Sequence, residues 1–416
     1  MYAKPMTNYR RNISIFAVCQ ALMMSTTTLT VTVSVLVGFS LAPNKAYATL
    51  PFTVQLIAGT LTTLPAALLM SRIGRKPAFM VATLFGMGAS VLCTIAILQS
   101  NFSLFIAGCA LIGIFNGFGY YYRFAAADAV DSEYKSRAIS YVLAGGIIAA
   151  FIGPNLAGYT KDLFSEHLFA GSFSVIIGFY ILSLILLGLL RLPESARQAD
   201  RLHISGRPLG VIIKQPRFII AVLTGMLGYG VMSLVMTATP LAMQHHHHPF
   251  SDTSFVIQWH VLGMFAPSFF TGSLIKRVGL LKIMLLGGLA GLACVVINLL
   301  GTSVPHFWLA LFLLGISWNF LFIGATTMLT ETYQAEERFK AQAVNDFIVF
   351  STVAAASLSA GALQHHFGWQ AVNYGAIPAL LVIIVSLFWL RFGQQQDPLL
   401  HNELAVNDAI TQTETG

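Results

Sequence analysis

Twelve long apolar stretches follow one another from residue 13 to residue 392, and they leave this chain few ways to fold. They run over 13–38, 48–71, 77–98, 103–127, 137–161, 169–191, 217–243, 254–275, 280–301, 305–330, 341–363 and 371–392. A helix that crosses a bilayer needs about 20 consecutive apolar residues to span the hydrocarbon layer. Each stretch meets that length, and polar segments separate them. Gly and Pro inside several stretches are tolerated where neighbouring helices satisfy the freed backbone. A transmembrane β-barrel would show short alternating strands instead, and none can be read. Only 9% of the 416 residues are charged, against roughly 25% in a soluble domain. The expected fold is therefore an all-α membrane protein with twelve transmembrane helices.

The net charge of +7 does not point to nucleic acid, because the basic residues sit at the ends of apolar stretches. With the N-terminus inside, all of the 23 Lys and Arg residues except Lys45 and Lys161 fall on the inner side. The positive-inside rule then predicts a multi-pass protein of a bacterial-type inner membrane with both termini cytoplasmic. The first stretch is too long for a signal-peptide core and lacks a small-residue cleavage pattern, so it is expected to stay as a span. Cys19, Cys93, Cys109 and Cys294 all lie inside apolar stretches, which argues against a structural disulfide. The run His245–His248 offers adjacent imidazoles but no second ligand cluster, so no metal site is expected. No cofactor is expected, and no glycine-rich nucleotide loop ending in Lys-Ser/Thr is present to drive ATP-dependent chemistry.

The chain is internally repeated. Arg72-x-Gly74 between stretches two and three returns as Arg277-x-Gly279 between stretches eight and nine, 205 residues later. Glu133 to Arg137 corresponds to Glu336 to Lys340, and Gly158 to Gly361, both at an offset of 203. Three matches at nearly one offset indicate a duplicated six-helix unit, a common build of secondary transporters. The domains read as an N-terminal bundle over 1–191, a central cytoplasmic loop over 192–216, a C-terminal bundle over 217–393 and a polar, disordered tail over 394–416.

The segment Ala67-Leu-Leu-Met-Ser71-Arg72-Ile-Gly74-Arg75-Lys76 resembles the signature loop of the major facilitator superfamily, whose pattern is Gly-x-x-x-Asp-Arg-x-Gly-Arg-Arg/Lys. Ala67 and Ser71 replace the family's Gly and Asp. The resemblance implies the major facilitator fold, two pseudo-symmetric six-helix bundles, with Arg72, Gly74 and Arg75 in a conformational turn. Gly153-Pro154-Asn155-Leu156-Ala157-Gly158 resembles the glycine-rich fifth-helix motif of the drug/proton antiporter-like branch. Gly153, Pro154 and Gly158 equally suit a plain packing face. That branch's fourth-helix Arg has no counterpart here.

By the same resemblance, helices one, four, seven and ten line the cavity. Candidate cavity residues are Gln20, Asn116, Tyr120, Arg123, Tyr229, Ser233, Thr237, Trp318 and Asn319. Asn116, Tyr120 and Arg123 share one helical face. Arg123 reads either as an anchor for an anionic or aromatic solute or as a cation snorkelling to the interface. The hydroxyl residues read either as solute ligands or as donors to their own preceding turn. His260 and Asp346 are the candidates for proton coupling, since an ionisable group within a span is a functional candidate. The expected function is secondary active transport of a small organic solute, as a monomer, by proton-coupled efflux. The alternatives are uptake of a nutrient, vitamin or siderophore-like solute, and a non-transporting membrane sensor. No enzymatic role is expected, because no catalytic cluster of His, Asp and Glu shares one depth.

Overall fold

The computed structural model describes residues 6–128, 141–142, 145–191, 206–334 and 337–393. Within them the chain is helical, with no β-strand among the described residues. Spans one to six are Met6–Leu41, Leu50–Ile73, Arg75–Leu98, Phe102–Gly119 continued by Tyr122–Asp128, Gly145–Thr160 and Ala170–Gly188. Spans seven to ten are Pro216–His245, Phe250–Phe265 continued by Ser268–Val278, Leu280–Leu300 and Val304–Thr330. Spans eleven and twelve form one run, Arg338–Gly393, broken at Gly368 with φ 76° and ψ −176°. The twelve spans make two six-helix bundles, the fold expected. An even number of spans puts Met6 and Gly393, the ends of the described helices, on one face, here termed the terminal face. The opposite face, which carries His245–His248, is termed the loop face.

Two spans depart from the single helices expected. Span four loosens at Tyr120 and Tyr121, where Tyr121 N–H turns to Phe118 O in a tighter i−3 bond. Span eight breaks between Phe265 and Ser268, because Pro267 has no N–H to continue the ladder. The central loop up to residue 205, the tail from 394, and Glu133 to Arg137 lie outside the described residues.

Lipid is as apolar as a leucine side chain, so hydrophobic transfer does not drive helices together within the bilayer; close packing does. Span four presses on span two where Gly113 meets the Gln55 carbonyl and Gly117 meets the Gly59 carbonyl, with no room for a Cβ at either glycine. The second half repeats the joint, Gly315 of span ten lying on the His260 carbonyl of span eight. Aromatic pairs fill the first bundle's core, Phe79 against Tyr122 at 4.8 Å and Phe115 against Tyr180 at 4.9 Å between ring centres.

The turns between spans two and three and between spans eight and nine are alike. Gly74 stands at φ 89°, ψ 158° and Gly279 at φ 100°, ψ 144°. Each caps one helix and starts the next. This backbone region is essentially closed to residues with a Cβ.

A clasp ties residues 206–216 to the second half. The buried Glu337 carboxylate accepts from Arg207 N–H at 2.7 Å, Arg207 Nε at 2.8 Å and Arg207 Nη2 at 2.7 Å. Arg207 Nη2 and Gln215 Nε2 both donate to the Thr332 carbonyl, and Lys340 Nζ donates to the Arg207 carbonyl. The guanidinium holds the Glu337 carboxyl well below its ordinary range, at about 2.

Candidate functional site

The two halves meet by direct bonds toward the loop face. Thr53 Oγ1 of span two donates to Ser357 Oγ of span eleven at 3.1 Å, and Thr49 Oγ1 donates to the Leu358 carbonyl at 3.3 Å. Asn155 Nδ2 of span five donates to Gln258 Oε1 of span eight at 2.7 Å. Phe169 and Lys161 of the first half both cover the Phe250 ring of the second, at 4.9 and 5.9 Å. These contacts form a seal.

Deeper in the molecule the second half presents an aromatic cluster. Trp318 and Phe322 of span ten are stacked at 5.0 Å with an interplanar angle of 10°. Tyr229 of span seven stands edge-on to both at 5.4 Å, and to Phe350 of span eleven at 6.0 Å. Phe265 reaches Trp318 at 6.1 Å. A Cβ at Gly146 of span five would touch the Phe265 ring and Met24 Sδ of span one, so the cluster borders the first half there.

Arg123 and Tyr120 come from the first half. The break in span four lets both side chains stay accessible, with Tyr120 39% exposed. The Arg123 guanidinium lies 4.7 Å from the Phe124 ring centre. Arg123 is within coulombic reach of Asp346 of span eleven, and Tyr120 of Tyr229. Arg123 and Asp346 are both exposed and belong to opposite halves. Of these candidates Tyr229 and Trp318 are in ring contact, while Arg123 with Asp346 and Tyr120 with Tyr229 are paired across the halves only at electrostatic range.

Other residues singled out from the sequence are placed differently. Asn319 is fully buried, donating to the Met264 carbonyl and Ser268 Oγ and accepting from Thr271 Oγ1. It braces the break in span eight. Ser233 Oγ donates to the Val353 carbonyl. His260 is wholly buried, its Nδ1 2.8 Å from the Leu311 carbonyl. In the duplicated register it occupies the place of Gln55. Gln20, Asn116 and Thr237 are buried, and Gln20 Oε1, Asn116 Oδ1, Thr237 Oγ1 and Trp318 Nε1 have no hydrogen-bond partner among the described residues. Such orphans need an explanation, and a ligand or water supplies one. Ser25, Thr26 and Thr27 donate to carbonyls of their own preceding turn, the second of the two readings open to hydroxyls in a span.

The conformational motifs sit at helix joints. Gly153 packs on Thr28 and the Ser25 carbonyl of span one, Pro154 is accommodated within span five, and a Cβ at Gly158 would lie 4.0 Å from the Phe250 ring. Arg72 is exposed, Arg75 opens span three, and Lys76 Nζ donates to the Gly188 and Leu190 carbonyls. No group of three or more metal-ligating side chains forms among the described residues. Within the histidine run, His248 Nε2 lies 2.7 Å from the Thr302 carbonyl. The sequence reading missed Phe265, Phe322 and Phe350. Phe322 follows Trp318 by four residues on span ten, a helical spacing that places both on one face, whereas Phe265 and Phe350 lie on other spans and meet the cluster only through tertiary packing.

The Major Facilitator Superfamily model matches residues 15–257 and 221–408. The chain is 43% identical over 383 residues to a riboflavin transporter, RfnT, of Brucella anthropi, covering 92% of this chain and 96% of that one. It is 25% identical over 382 residues to an uncharacterized MFS-type transporter, YddS, of Bacillus subtilis, covering 88% of each. Its fold is similar to the crystal structure of a point mutant of the nucleoside transporter NupG, with a TM-score of 0.70 at 12% identity, covering 92% of this chain and 99% of that one. Twelve spans in two bundles, a duplicated glycine turn and these matches agree: the chain belongs to the Major Facilitator Superfamily and is a multi-pass membrane transporter of a small molecule.

Proposed function

We propose that this transporter imports a riboflavin-like solute, a planar polycyclic ring bearing polar edges and a hydroxylated tail. The aromatic cluster around Trp318 carries this reading. A flat conjugated ring is held best by stacked and edge-on aromatic side chains, whose quadrupoles favour those two geometries. Trp318 over Phe322, with Tyr229 edge-on, offers both. The unpaired polar atoms of Gln20, Asn116, Thr237 and Trp318 suit the many donors and acceptors of such a solute. The extent of likeness to a protein named a riboflavin transporter supports the same substrate class.

Transport proceeds by rocking of the two bundles about the cavity. The arrangement with the loop-face seal made is the one open toward the terminal face. The distribution of Lys and Arg supports a cytoplasmic position for that face. Asp346, exposed and within electrostatic range of Arg123, suits proton coupling better than the enclosed His260.

The test is uptake of labelled riboflavin by cells that cannot make it and lack other flavin importers. Expression of this chain should restore uptake, and excess unlabelled riboflavin should compete. Absence of uptake at normal membrane levels would sink the proposal. Export from preloaded cells without import would return the drug/proton efflux reading.

A further inference from the structure

A cavity of about 440 Å3 lies at the terminal face of the second half, lined by none of the residues of the aromatic cluster. Four helix ends converge on it: the start of span seven, the glycine turn between spans eight and nine, the end of span ten and the end of span twelve. Its charged lining is Arg217, Lys282, Arg391 and Glu331. Glu331 and Arg217 pair at 2.8 Å, both remaining partly exposed. Lys282 and Arg391 have no ion-pair partner among the described residues, so the cavity holds a surplus of positive charge. Its remaining wall is apolar, from Leu280, Leu281, Met328 and Leu390.

Two features mark this cavity as more than a basic rim. Gly279 starts span nine without a side chain to cap it, so the first N–H groups of that helix have no side-chain acceptor. Those groups carry the positive end of the helix dipole, which favours a bound anion. The cavity also combines cations with leucine and methionine at the depth where spans leave the membrane. Basic pockets between spans at that level suit phosphate-bearing lipid headgroups.

We propose that this cavity binds a phosphate group, and that its natural source is the phosphodiester of an anionic lipid. The phosphate sits against Lys282, Arg391 and the start of span nine, while the apolar wall receives the upper acyl chains. Free phosphate has the same charged chemistry but no use for that wall. Occupancy joins the ends of spans seven, nine, ten and twelve, and so stiffens the second half as one body.

The test uses the full chain purified in mild detergent. Its thermal unfolding is followed while phosphatidylglycerol, phosphatidylcholine or inorganic phosphate is added at matched concentration. Phosphatidylglycerol should raise the midpoint by several degrees and phosphatidylcholine should not. The rise should be lost in K282Q/R391Q, reduced in K282Q alone and kept in R277Q, which removes a cation of the same face that does not line the cavity. Mass spectrometry of the intact protein should count retained phosphatidylglycerol lost from the double variant. Protection by inorganic phosphate at the same strength would support the site and make a soluble anion its occupant. Equal protection of the wild type and K282Q/R391Q, or no protection by either anion, would overturn the proposal.

Discussion

The hydroxyl of Thr53 donates to that of Ser357 across 3.1 Å, joining span two of the first half to span eleven of the second. A neutral hydrogen bond of this kind is worth about 1 kcal/mol net, so removing it moves a two-state balance by roughly fivefold. T53V with S357A should therefore shift the protein toward opening at the loop face. Spin labels on Asn44 and His366, both exposed at that face, should report a larger share of long distances. An unchanged distance distribution would show that this bond does not hold the seal.

Arg123 should matter through its geometry as well as its charge. R123A should lower riboflavin uptake at least tenfold at normal membrane levels. R123K should recover only part of it, because an ammonium cannot present a planar fork to two acceptors or stack on a ring. Full uptake by R123A would leave Arg123 as an interface cation alone.

Proton coupling separates the two ionisable candidates. D346N should retain exchange of riboflavin across the membrane but lose accumulation driven by a proton gradient. H260Q should keep both, since His260 is enclosed between spans eight and ten. Loss of accumulation in H260Q alone would reverse the assignment.

The clasp of Glu337 on Arg207 has a defined pH dependence. The folded carboxyl is held at about 2, below the ordinary value near 4.3. A depressed folded value stabilises the protein above the unfolded value, and that contribution fades as pH falls through the folded one. Thermal stability should drop between about pH 4.5 and pH 2 by more in the wild type than in E337Q. Equal slopes for the two proteins would exclude the clasp as their cause.

The paired turns make a symmetric prediction. G74A and G279A each place a Cβ where φ is 89° or 100°, at a cost of about 1–3 kcal/mol. Both variants should lower the unfolding midpoint, measured by intrinsic fluorescence in detergent. A midpoint unchanged in either would mean that its turn relaxes freely.

The spans were legible from sequence because the bilayer imposes a length that the apolar stretches have to meet. The duplication was legible because Arg72-x-Gly74 and Arg277-x-Gly279 keep a backbone requirement that only glycine fills. The site was legible in part. Arg123, Tyr120, Tyr229 and Trp318 stood out as polar or aromatic residues on spans expected to face a cavity. Phe265, Phe322 and Phe350 did not, since a phenylalanine within a span looks the same whether it faces lipid or solute. Asn319 and Ser233 show the converse difficulty. Their polarity singled them out, but within a span it also serves to bond one helix to its neighbour, which only the packed structure displays. Pro267 could be read as a break, whereas the loosening at Tyr120 and Tyr121 has no comparable residue to announce it.

The seal at the loop face is built from uncharged partners: hydroxyl to hydroxyl, hydroxyl to carbonyl, amide to amide. Among the described contacts across it, the charged one is Lys161, which meets an aromatic ring of the other half and lies 3.6 Å from the exposed Asp162 of its own half. Neither salt nor protons act strongly on such contacts, because ionic screening needs charge pairs and titration needs an ionisable group. On the proposed topology this face is the outer one, so opening there should change little with external salt or acid. Any acid dependence of net flux should then arise elsewhere, with Asp346 the group proposed for it.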